Sequence, residues 1–225
     1  MWVRYGKLEN IWELWIFPVP TVTDLPSNCR VATALDDEII DFISGGGRVL
    51  LTDNFPADRM TEKFQCDTTG RSLGHLGTVI HRHTLTDEMA HDGFAGLQFA
   101  GLLTAAASMD FTRSELPFNP VIEYIPSYKL VRRKTPLCEF AVGTGRLVMC
   151  GLQLSGTDAA TAYFKDRLEK YLGSGTFPAA PQIAPELLKK LIRQEFADSG
   201  IAKTDEAWDP NVSAGKNITG QQDKI

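Results

Sequence analysis

Four histidines, His75, His81, His83 and His91, crowd into one short stretch of this chain. They are the first residues whose types and spacing could do chemistry. His81 and His83 are two apart, so in a strand they would project from the same face. With Asp87, Glu88 or His91 they could supply the ligands of a metal ion, and His81, His83 and His91 form the candidate set. The same pattern fits a polar strand end running into a loop, and no longer ligand signature accompanies it.

Other reactive residues are less well placed. Cys29, Cys66, Cys138 and Cys150 show no C-x-x-C spacing, so neither a zinc ribbon nor a thioredoxin-like motif is supported. Cys150 follows a strand-like run in "LVMCGLQL", and a glycine follows it. The glycine that a nucleophile elbow needs two positions earlier is missing. Buried thiols acting as small hydrophobes account for Cys138 and Cys150. Glu123 and Glu139 lie in strand-like runs, yet nothing sets them opposite each other at the ~5–9 Å of a glycosidase pair. Asp36, Asp37 and Glu38 read as first-turn charges of a helix, and "RRK" at 132–134 as a solvated turn. No catalytic residue and no cofactor follow from these patterns.

The three glycines of "DFISGGGRVLLTDN", residues 41–54, invite comparison with a phosphate cradle. Such cradles run strand, glycine loop, helix, so that a helix N-terminus meets the anion. Here the order is helix, glycines, strand. Glycines at a helix C-terminus are caps, because they adopt positive φ without steric cost.

The elements that must position these residues can be read from periodicity. "IWELWIFPV" (11–19) alternates like a strand, and "VAT" (31–33) is a short one. "LDDEIIDFIS" (35–44) is an amphipathic helix, and "RVLLTD" (48–53) a buried parallel strand. Residues 54–78 read as loop and "GTVIHRH" (77–83) as a strand. "GFAGLQFAGLLTAAA" (93–107) reads as a helix. Strands follow at 119–127, 135–143 and 145–154, the last two joined by "GTG" into an antiparallel hairpin. Residues 158–174 form a helix. "PELLKKLIRQEF" (185–196) is a short amphipathic helix, and from Ala197 the chain is polar, with chance-level glycosylation triplets at Asn211 and Asn217. The pattern predicts an α/β layer fold with a mostly parallel sheet and a late antiparallel hairpin.

The bulk numbers narrow the function classes. The chain has 225 residues, 43% hydrophobic and 23% charged, with a net charge of −5. That balance suits a globular domain and argues against nucleic acid or an anionic membrane surface as partner. No stretch approaches the ~18 apolar residues of a membrane span, and no signal peptide is visible. The N-terminal aromatics Trp2, Trp12 and Trp15 could stack on sugar rings or make a domain contact. Aromatics in an alternating strand more often pack in a core or interface.

Several stretches occur together in a familiar order: "LENIWELWIFP", "LDDEIIDFISGGGRVLLTDN", "HDGFAGLQFAGLL", "NPVIEYIP", "CEFAVGTGRLVMCGLQL" and "YLGSGTFPAAP". Across residues 8–181 they resemble the glutamine-amidotransferase-like domain of bacterial glycoside hydrolase family 2, the β-galactosidase-like proteins. The resemblance implies a flavodoxin-like, three-layer α/β/α sandwich spanning residues 1–181, with 182–225 a short helix and polar tail or linker. It implies an accessory domain that packs against the other domains of a carbohydrate-cleaving enzyme. Amidotransferases proper use a cysteine elbow and a His-Glu pair; the elbow is missing here, so no catalytic residue carries over. A (β/α)₈ barrel of ~250 residues has no room in this chain.

Overall fold

The computed structural model describes residues 2–5, 8–11, 14–21, 24–61, 77–125 and 132–194. A hairpin of β1 (Trp2–Tyr5) and β2 (Leu8–Ile11) stands apart from the main sheet. The sheet holds β3 (Cys29–Ala32), β4 (Arg48–Leu51), β5 (Asp58–Thr61), β6 (Gly77–Ile80), β7 (Ala107–Asp110), β8 (Pro120–Ile125), β9 (Lys134–Val142), β10 (Gly145–Cys150) and β11 (Gln182–Ile183). Its main path runs β3-β4-β10-β9-β7-β5, with β8 and β11 also paired to β9 and β6 paired to β8. The helices are α1 (Asp37–Ser44), α2 (Ala100–Leu103), α3 (Ala159–Ser174) and α4 (Pro185–Leu191).

This overturns the expected mostly parallel three-layer sandwich of the flavodoxin or amidotransferase type. Among the described residues, five of the sheet's eight pairings are antiparallel: β10–β9, β5–β7, β6–β8, β7–β9 and β8–β9. Only β3–β4, β4–β10 and β9–β11 are parallel. Among the described residues three of the four helices have eight residues or fewer. The described residues form a mixed, mainly antiparallel nine-stranded sheet with short helices. The misreading has a physical cause: a strand buried on both faces gives a continuous apolar run whether its neighbours are parallel or not.

Local errors have equally local causes. The helix expected over 93–107 is reduced to a 3₁₀ turn at Leu97–Phe99 and the four-residue α2. Ala105 takes φ of +61°, which no helix continues, and Ala107 already begins β7. Of the strand expected at 11–19, Ile11 belongs to β2, and the described residues 14–19 form no strand. Inside the region expected to be loop, residues 58–61 form β5. The expected strand 77–83 stops at Ile80.

The strand expected over 145–154 stops at Cys150, and β11 lies where no strand is expected, but the starts of α1 and α3 lie where the residues predict. Asp36 caps α1, its carboxylate accepting from Ile39 N at 2.8 Å. Asp158 caps α3 in the same way through Thr161 N at 3.0 Å. Each such cap is worth about 1 kcal/mol. Gly175, at φ +72°, closes α3. In β9, Pro136 cannot donate, and the ladder to β8 shifts register nearby. There Leu137 N donates to Thr135 Oγ1, whose hydroxyl donates to Ile122 O at 2.6 Å.

Apolar side chains fill both faces of the sheet. One core joins α2 and α3 to the sheet through Phe99, Leu102, Phe164, Leu168 and Leu172. The other joins α1 and α4 through Ile40, Ile43, Leu188 and Leu191. Thus β11 and α4, beyond position 181, share the sheet and its core.

Two substitutions test this backbone in opposite directions. A Cβ at Gly145 would fall on the carbonyl oxygens of Ile43 and Gly47, which are main-chain atoms. Gly145→Ala is expected to cost more than about 3 kcal/mol in urea unfolding. Ala105→Gly removes a left-handed Cβ penalty and is expected to gain about 1 kcal/mol.

Candidate functional site

The densest group of chemically capable side chains surrounds Glu139, in the middle of β9 and only 1% exposed. A carboxylate so placed must be paired or hydrogen-bonded. Tyr171, on α3, donates its hydroxyl to Glu139 Oε2 at 2.6 Å. Arg146, on β10, donates from Nη1 to Oε1 at 3.4 Å and from Nη2 to Pro178 O at 3.0 Å. His83 Nε2 lies 3.3 Å from the same Oε1, close but not aligned as a hydrogen bond. Leu85 N donates to His83 Nδ1 at 3.2 Å, which leaves the proton of a neutral imidazole on Nε2, facing the carboxylate.

Aromatic rings wall the cluster. The His83 ring meets Tyr171 edge-on at 5.4 Å, and Tyr171 meets Phe177 edge-on at 4.9 Å. The guanidinium of Arg146 sits 4.7 Å from the Phe177 centroid, and that of Arg48 5.5 Å. Arg48 Nη1 donates to Leu172 O at 2.8 Å and Gly173 O at 3.1 Å. It thereby places a cation on the negative end of the α3 dipole. Burial, the Glu139 hydrogen bond and its charge all push the Tyr171 phenol far above its ordinary value. Tyr171 is therefore a fixed donor at any physiological pH.

The histidine set is not brought together. His81 Nε2 pairs with Glu123 Oε2 at 2.9 Å, on β8. His83 turns to Glu139. His91 packs its ring on Phe99 and accepts from Gly93 N at 3.0 Å. Among the described residues no group of three or more His, Cys, Asp or Glu could hold a metal ion. His75 lies outside the described residues, as do Cys66, Trp12, the side chain of Trp2 and the tail from residue 195. Trp15 is half-buried.

Cys138, Cys150 and the glycine triplet are structural. Cys138 and Cys150 are buried. Burial pushes the Cys138 thiol well up and that of Cys150 up to about 12. Neither can supply the thiolate of a nucleophile at neutral pH. The N–H groups of Gly45, Gly46 and Gly47 donate to Asp41 O, Ile43 O and Phe42 O. All three are spent on the last carbonyls of α1, so the triplet closes a helix and offers an anion nothing.

Sequence reasoning named His83 and Glu139 but did not join them, and it missed Arg48, Arg146, Tyr171 and Phe177. One signal was available. A lone acid inside "PLCEFAV" demands a buried cation or hydroxyl, although nothing in the sequence says which one.

Residues 30–193 match a family described as a domain of unknown function, DUF8487, and the chain belongs to that family. No curated protein matches it. Among the described residues no helix is long and apolar enough to cross a membrane.

The cluster behaves as a structural hub, and two measurements check this. Glu139→Gln strips the counter-charge from buried Arg146 and is expected to cost about 3 kcal/mol or more, with Tyr171→Phe costing about 2 kcal/mol. An aromatic thiol reagent at pH 8, read by peptide mass spectrometry, should leave Cys138 and Cys150 unmodified until denaturant is added. Rapid modification of either thiol in the native chain would contradict its placement.

Proposed function

We propose that this chain is a non-catalytic accessory domain of a β-galactosidase-like glycoside hydrolase and docks on the rest of that enzyme through residues 14–21. The carbohydrate context is supported by the sequence resemblance over residues 8–181. The accessory role is supported by one observation above all: an extended apolar strap anchored to the domain on one side only. Phe17 packs on Tyr163 at 5.3 Å, and Thr21 N donates to Asp166 Oδ1 at 3.3 Å. Leu14, Ile16 and Val19 stay 74%, 86% and 87% exposed.

Alternation accounts for Leu14 and Ile16 facing away while Trp15 and Phe17 turn inward, and beyond Phe17 the alternation stops, with Pro18, Val19 and Pro20 all exposed. Covering the three exposed side chains would gain about 1.5–3 kcal/mol each. Glu139 itself is buried in the core, and the cavity beside its neighbours Arg48, Arg146 and Phe177 holds about 220 Å³, less than the ~300 Å³ at which small-molecule sites begin. Both facts suit a domain that works by contact.

The test is association with a β-galactosidase-like glycoside hydrolase polypeptide supplied as a separate chain. The two are expected to co-purify in equal amounts. The Leu14→Asp, Ile16→Asp double variant is expected to bind roughly a hundredfold more weakly with its melting temperature unchanged. A chain that stays unassociated, or that cleaves nitrophenyl galactosides by itself, would overturn the proposal.

A further inference from the structure

At the carboxyl ends of the parallel pair β3 and β4 lies a cleft of about 470 Å³, walled by Leu35, Asn54, Phe55, Arg59, Ile192 and Gln194 among others. We infer that this cleft binds a small uncharged polyol of monosaccharide size, with the amides of Asn54 and Gln194 as its polar contacts. The inference goes beyond the docking role and shares no residue with the strap.

Size and a preformed wall both point to a ligand. Small-molecule sites run from ~300 to ~1,000 Å³, and the loops that follow β3 and β4 supply most of the lining here. The last β3–β4 pair is Ala32 with Leu51, so the following loops both leave at the cleft. They are tied together before any ligand arrives. Thr52 N donates to Ala32 O at 2.9 Å, and Asn54 Nδ2 donates to Thr33 O at 3.0 Å. Asp53 Oδ1 accepts from Asn54 N at 2.9 Å and from Arg59 Nη1 at 2.7 Å. Asn54 holds φ of +41°, a left-handed turn conformation that asparagine accepts more readily than most residues. Ordering costs already met in the free protein are not charged again on binding.

The lining selects the chemical class. Arg59 is matched by Asp53, so the cleft has little net charge with which to hold an ion. Phe55 is only 4% exposed, so no aromatic face is presented to stack a nucleobase. Half-buried Ile192 offers aliphatic surface for C–H groups, with the edge of Leu35 beside it. The Asn54 amide keeps its Oδ1 as an acceptor, and that of Gln194 offers both donor and acceptor. Neutral amides beside aliphatic surface suit adjacent hydroxyls on a compact ring.

The experiment is a titration of the ¹⁵N-labelled full chain with D-galactose and D-glucose, with sodium phosphate and adenosine as contrasts. A hexose is expected to give saturable amide shifts confined to residues 33–36, 52–57 and Gln194. Asn54→Gly suits the positive φ and removes the amide. It and Gln194→Ala are each expected to weaken hexose binding by up to about tenfold, with the melting temperature maintained. The Leu14→Asp, Ile16→Asp variant should bind hexose as well as the parent chain, so loss of docking alone does not touch this result. No saturable hexose shift, tighter binding of phosphate or adenosine, or hexose affinity unchanged in both cleft variants would overturn the inference.

Discussion

A nine-residue strand buried on both faces has no backbone group that water can reach, and every one of them must find a partner in the protein. That strand is β9, with eight of its nine residues buried. Its pairing therefore collects β10, β7, β8 and β11 around it. The topology follows from this constraint. Hairpin return through Gly143–Gly145 gives β10, β10 then lies parallel to β4, and β4 carries β3 at the edge. The parallel part of the sheet is thus attached to an antiparallel centre.

The same burial decides the electrostatics. Glu139 is carried into the core by β9, and its charge is answered by Arg146 on the adjacent strand and Tyr171 on the overlying helix. Such a pairing adds little net stability, because desolvation offsets most of the Coulombic gain, but removing one partner is costly. The cluster therefore fixes how α3 and the 81–91 loop sit on the sheet. Arg167 adds to the same attachment by donating to Thr84 O at 3.0 Å and pairing with Glu88 at 2.7 Å. Side chains that look catalytic in the sequence are engaged in holding layers together, and docking and ligand binding are proposed for other surfaces, the apolar strap and the cleft beyond β3 and β4.

Elements with a local signature were legible in the sequence. Asp36 and Asp158 announce helix starts, the glycine triplet announces a helix end, and "GTG" announces the hairpin. Strand partners were not legible, because the alternation that distinguishes an exposed antiparallel sheet vanishes when both faces are covered. "TPLCEFAV" is equally apolar in either arrangement. The alanine-rich run before β7 shows propensity losing to position: Ala105 turns left-handed so that Ala107 can join the sheet. The candidate site divided the same way. His81 and His83 were visible as a pair, yet the end of β6 at Ile80 lets them turn to different carboxylates, Glu123 and Glu139.

Native-state hydrogen exchange on the folded chain tests the central role of β9 most directly. If β9 is the strand on which the rest depends, the amides of residues 137–142 should exchange only through global unfolding, at the free energy found from denaturant unfolding. Amides of β3, at the sheet edge, should open at lower free energy. Exchange of the β9 amides through smaller openings than those of β3 would contradict the account.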